Sequence, residues 1–149
     1  MSHIQDVQKD MIAAVKAGNS IESDILKVVL SSLKNAQIAK GEEEALTEEE
    51  EIKVIFSEAK KMKDSIEKFT QGGREDLAKR EKEQLAVVER YLPQQADEEE
   101  ITTVVKRIID EMGASGAGNM GMVMGAAMKE LQGRADGKVV SEIVKGILS

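Results

Sequence analysis

From Ile52 to Phe69 the apolar residues recur at steps of three and four: Ile52, Ile55, Phe56, Ala59, Met62, Ile66 and Phe69. That spacing puts them on one stripe of a helix and on both faces of a strand, so it selects helix. The stripe is bracketed by stop and start signals. Thr47 with Glu50 forms a capping box, and Glu48 to Glu51 place four carboxylates at the positive end of the helix dipole. Gly72-Gly73 ends the segment.

The same grammar repeats along the chain. Ser2 with Gln5 is a capping box ahead of Ile4, Val7, Met11 and Val15. Gly18-Asn19 ends that helix. Ser20 or Ser23 caps a second, with Ile25, Val28, Val29, Leu33 and Ala36 on its apolar face. Gly41 stands where a left-handed C-terminal residue is expected. After Gly72-Gly73, a fourth helix opens at Glu75-Asp76 and stops before Pro93, the only proline in the chain, which disfavours helical geometry at Leu92. Asp97 with Glu100 caps a fifth helix that carries Ile101, Val104, Val105, Ile108, Ile109 and Met112. GASGAGN (113–119) is a flexible link, and Asn119 caps a sixth helix ending at Gly133. The last helix begins near Lys138.

No alternating pattern of the strand type appears. The fold expected is all-α. An N-terminal domain of about four helices (1–93) is followed by a small three-helix C-terminal domain (94–149), divided at YLPQQAD. Composition agrees. Hydrophobic residues make up 41%, but there are two Phe, one Tyr and no Trp. The core must therefore come from Leu, Ile, Val, Met and Ala.

With no cysteine and a single His3, read as a frayed terminal residue, the chain is expected to hold no metal and no cofactor. The acidic run GEEEALTEEEE lacks the spaced ligands and turn glycine of a calcium loop and reads as capping and solvation. No serine has a histidine partner beyond His3, and no phosphate loop or dinucleotide fingerprint occurs. No catalytic residue is expected. MSHIQDVQKD has no signal-type apolar core, and no run approaches a membrane span. A soluble cytoplasmic protein is expected, with no membrane partner. The net charge of −7 argues against DNA or general nucleic-acid binding, so any phosphate contact must be local.

Three local candidates remain. Gly121 and Gly125 share a helix face and permit close approach, either by a neighbouring helix or by a sugar-phosphate backbone. Met120, Met124 and Met128 form a further stripe, read as adaptable core. In the turn Gly133-Arg134-Ala135-Asp136-Gly137-Lys138, Arg134 and Lys138 can meet a phosphate beside the amides of the last helix. The bland alternative is a solvated turn with an Arg–Asp pair. Lys60, Lys61 and Lys63, with Lys53, form a basic stripe or else an ordinary solvated face among Glu58, Glu67 and Glu81. Scarce aromatics argue against base stacking and leave backbone recognition of a folded RNA.

Several stretches carry a resemblance. DMIAAVKAGN (10–19), EEEEIKVIFSEAKKMKDSIEKF (48–69), GGREDLAKREKEQLAVVERYLPQQADEEEI (72–101) and NMGMVMGAAMKELQGRADGKVVSEIVKGIL (119–148) resemble the YqeY family in order and spacing. The C-terminal part of that family is similar to the tail domain of the B subunit of the glutamyl/aspartyl-tRNA amidotransferase. Related modules are appended to glutaminyl-tRNA synthetases. The resemblance implies a two-part helical fold and an accessory module that binds tRNA or a tRNA-handling enzyme. A protein-interaction adaptor without RNA contact is the alternative. Carbon–nitrogen ligase activity with glutamine as amido donor is implied by family association only. The family's MGxVM block commonly carries Lys-Asp before it and Lys at its variable position. Here those places hold Gly118-Asn119 and Met122.

Overall fold

The computed structural model describes residues 3–149. Among the described residues there are seven α-helices and no strand. They are α1 (His3–Lys16), α2 (Ser20–Lys40), α3 (Glu48–Gln71), α4 (Glu75–Glu89), α5 (Glu98–Met112), α6 (Met120–Glu130) and α7 (Gly137–Leu148). The chain separates into two compact units, one ending at Leu92 and the other spanning Pro93–Ser149.

In the first unit, α1 packs on α2 and α3 on α4, and α2 also touches α3 and α4. Val7, Leu26, Val29, Leu33, Ile55, Ala59 and Val88 form its core. The anticipated Thr47–Glu50 box is present in both directions. Arg74 supplies no side-chain cap to α4. Gly73, at φ +74°, takes the left-handed position that closes α3. Gly41 differs from expectation: φ is positive, at +107°, but ψ is 169°, so the chain leaves α2 extended rather than left-handed.

The cap of α2 also differs. Neither Ser20 nor Ser23 serves. The Asn19 side chain accepts the N–H of Glu22 and returns an N–H to the Glu22 carboxylate, while the Ser23 hydroxyl donates back to the Ser20 carbonyl inside the helix. The box anticipated at Ser2 lies outside the described residues.

In the second unit the three helices pack mutually around Ile101, Val105, Ile108, Val123, Ala127, Leu131, Val140 and Val144. Asp97 caps α5 by accepting the N–H of Glu100. The segment expected as a plain link contains a 3₁₀ turn over Ala117–Asn119. Asn119 does not cap α6 through its side chain, because its side-chain carbonyl accepts the N–H of Ser115 instead. Met120, Met124 and Met128 are half-buried against this core, the role expected of a flexible apolar stripe.

Candidate functional site

The turn after α6 is held from the N-terminal side of its own unit. The N–H of Ala96 donates to the Arg134 carbonyl at 2.8 Å. The Gln95 amide donates to the carbonyls of Gly133, at 2.7 Å, and Pro93, at 2.9 Å. The Arg134 guanidinium reaches back through Nε to the Gln94 carbonyl at 2.7 Å and through Nη2 to the Glu100 carboxylate. The acid on Arg134 is thus one distant in sequence. Asp136, the neighbour that the sequence offered for this pairing, accepts the N–H of Lys138 at the start of α7. A carboxylate therefore already sits on the amide where a bound anion was anticipated. The Lys138 side chain is exposed.

Gly121 and Gly125 lie on the exposed side of α6. A Cβ built on either meets no atom within 4 Å, and the same holds for Gly118. Close packing against a neighbouring helix, one of the two readings of this pair, is not what they do in this structure. They leave bare backbone beside Met122, which is 61% exposed.

On α3, Lys53, Lys60, Lys61 and Lys63 are all exposed. Lys61 pairs with Glu58 at 3.4 Å, and the same carboxylate accepts the Ser32 hydroxyl at 2.8 Å. The lysine face is interleaved with acids. The arginines are more tightly engaged. All five are paired with carboxylates: Arg74 with Asp76, Arg80 with Asp24, Arg90 with Glu22, Arg107 with Glu111 and Glu130, and Arg134 with Glu100. Bidentate phosphate recognition is the property of arginine rather than lysine, and in this conformation each arginine already holds a carboxylate.

Two sites went unread in the sequence. His3 is not frayed: it opens α1 with its side chain 20% exposed, 3.7 Å from the Glu51 carboxylate. Glu51 itself is 3% exposed and accepts the N–H of Ile4. The signal was available, since Glu51 shares the buried stripe of Ile55, Ala59 and Met62, but a run of four glutamates hid the one that faces inward. The second is a shallow, mostly apolar groove of about 350 Å³ between the end of α2 and the start of α3, lined by Ala36, Lys40, Leu46, Glu50, Lys53 and Val54. Lys40 bridges its rim to Glu50 at 2.9 Å, and this hydrogen bond holds the Glu50 carboxyl below its ordinary value. No cluster of histidines and acids suited to a metal occurs among the described residues. No helix among them is long and apolar enough to cross a membrane.

The family model of YqeY-like proteins matches residues 4–148. The chain belongs to the YqeY family. It is 35% identical over 132 residues to a subunit of the glutamyl-tRNA(Gln) amidotransferase of Thermococcus gammatolerans, covering 85% of this chain and 20% of that subunit. A 45-residue stretch is 47% identical to the corresponding protein of Thermococcus sibiricus, 7% of that protein's length. The chain thus spans a small fraction of these two Thermococcus proteins. It is also 29% identical over 130 residues to altered inheritance of mitochondria protein 41, mitochondrial, of Clavispora lusitaniae, covering 86% of this chain and 73% of that protein.

Proposed function

We propose that this YqeY-family chain is an accessory binding module that grips tRNA beside a tRNA-handling enzyme and makes no bonds itself. The observation that carries this reading is the similarity, over 85% of the chain, to part of a glutamyl-tRNA(Gln) amidotransferase. In this reading residues 1–93 and 94–149 work as two domains in the cytoplasm. Lys60, Lys61, Lys63 and Lys138 meet backbone phosphates, and the open α6 backbone at Gly121 and Gly125 allows close approach. Two Phe and one Tyr suit recognition of a folded RNA by shape rather than by base stacking.

The test is fluorescence anisotropy with labelled unfractionated tRNA across a salt series. About four neutralised phosphates give a loss of roughly two decades in affinity between 50 and 200 mM salt. Replacing Lys60, Lys61 and Lys63 with glutamine weakens binding and flattens that slope. No tRNA binding at 50 mM salt, or binding indifferent to salt, overturns the reading. The net charge of −7 and the full pairing of the arginines favour a second reading, an adaptor that docks on the enzyme alone. Recovery of an amidotransferase or synthetase by the tagged chain, undiminished by nuclease, selects it.

A further inference from the structure

Among the five paired arginines, Arg134 is held differently. Arg74 pairs two residues along its own segment. Arg80 and Arg90 tie α4 and its end to α2. Arg107 bridges two acids on α5 and α6. Arg90 turns its Nε toward the Val87 carbonyl only at 3.5 Å, the outer limit of a hydrogen bond. Arg134 Nε donates to the Gln94 carbonyl at 2.7 Å, while its own carbonyl and that of Gly133 are held by Ala96 and Gln95. The guanidinium is thus oriented by backbone, independently of the acid on its outer edge.

That acid is Glu100. Its side chain is 45% exposed, against 28% for Arg134. The cap of α5 uses the Glu100 main-chain N–H on Asp97, so the Glu100 carboxylate can swing away without uncapping the helix. An exposed ion pair of this kind is weakly held. A phosphodiester offers the same guanidinium a strong, charge-assisted partner. Lys138, four residues on and exposed, stands in the first turn of α7.

We propose that Glu100 occupies, within the molecule, the place that a partner's phosphodiester takes on Arg134, so that the pair is an autoinhibitory lock on an anion site. The proposal rests on the RNA-binding reading above and adds to it a residue that suppresses binding. Glu100 raises the affinity threshold: a single phosphate must displace it, and an array of phosphates engaged elsewhere on the chain does so more readily.

The experiment compares Glu100→Gln with Glu99→Gln, which removes another exposed carboxylate from the first turn of α5 and controls for net charge. Both are tested in the wild-type and the Arg134→Gln backgrounds, using labelled unfractionated tRNA and anisotropy, with circular dichroism to verify folding. The expected result is a gain of about threefold to tenfold for Glu100→Gln beyond that of Glu99→Gln, with the salt slope steeper by about 0.7 to 0.9, the share of one extra phosphate. The excess should vanish when Arg134 is Gln. Equal gains from the two glutamate variants overturn the lock while leaving RNA binding intact. Binding by Glu100→Gln where the wild type shows none supports the lock and overturns binding by the unmodified chain. No binding by either overturns both.

Discussion

Ile4, in the first turn of α1, donates its main-chain N–H across 47 residues of sequence to the buried carboxylate of Glu51 on α3, at 3.1 Å. The opening amides of a helix have no intrahelical acceptors, and here a carboxylate from a neighbouring helix supplies one. His3 Nδ1 lies buried beside the same carboxylate without a hydrogen bond. Replacing Glu51 with Leu strips the acceptor from Ile4 while keeping side-chain bulk. The expected cost is about 1–3 kcal/mol, a fall of roughly 4–8 °C in Tm per kcal/mol for a domain of this size. Glu51→Gln, which keeps an acceptor oxygen, costs less. Thermal unfolding followed by circular dichroism checks the order, and a Leu variant as stable as the wild type refutes the role.

Tyr91 donates its hydroxyl to the Asp10 carboxylate, joining the turn just after α4 to α1. Burial first, and then that hydrogen bond, push the phenol above its ordinary value of 10.0. The folded value is the raised one, so this contribution to stability is fully present below about pH 10 and is lost as pH rises through the folded value. Tyr91 is the only tyrosine and there is no tryptophan, so phenolate absorbance reports this residue alone. The prediction is no phenolate signal at about pH 10.5 in the folded protein and a strong one at that pH in urea, where the phenol returns to its ordinary value. Ionisation near pH 10 without unfolding contradicts it.

Glu50 carries the opposite sign. The Lys40 hydrogen bond is the largest influence holding its carboxyl below the ordinary 4.5, with smaller help from the Thr47 N–H. A depressed carboxylate stabilises the fold above the unfolded value, and that contribution disappears as pH falls through the lowered one. In Lys40→Met the titration midpoint of Glu50, followed by carboxyl carbon NMR, should rise part of the way to 4.5, because the Thr47 contact persists. A midpoint unmoved by the substitution assigns the depression to the helix cap instead.

The helices were legible where a start or stop is a local device. Thr47–Glu50, Gly73, Asp97 and Asp136 act over a few residues and can be read from them. Asn19, Ser20 and Ser23 show the limit: all three are capping types, and the choice depends on which residue's main chain is the last outside helical geometry where α2 begins, here Asn19 at φ −84° and ψ 89°. Asn19→Ala should cost about 1 kcal/mol, whereas Ser20→Ala should be nearly neutral in the same urea-unfolding series. Long-range partners were not legible. Periodicity puts Gly121 and Gly125 on one face but cannot say what stands opposite. Nothing near Arg134 in sequence announces that Glu100 reaches it, since that pairing depends on how α5 packs beside the turn.

The two α6 glycines separate stability from binding. Both are helical, exposed and open to a Cβ. Where a glycine is required by close packing inside the fold, alanine is destabilising. Here alanine should stabilise the second unit by about 0.5–1 kcal/mol per site, through a less flexible unfolded chain and better helix propensity. A face retained for a partner's backbone responds in the opposite sense, because two methyl groups hold that partner off. Gly121→Ala with Gly125→Ala should therefore raise Tm and lower tRNA affinity together. A rise in Tm with unchanged affinity removes these glycines from the interface. A fall in Tm means that a neighbour does approach them in solution.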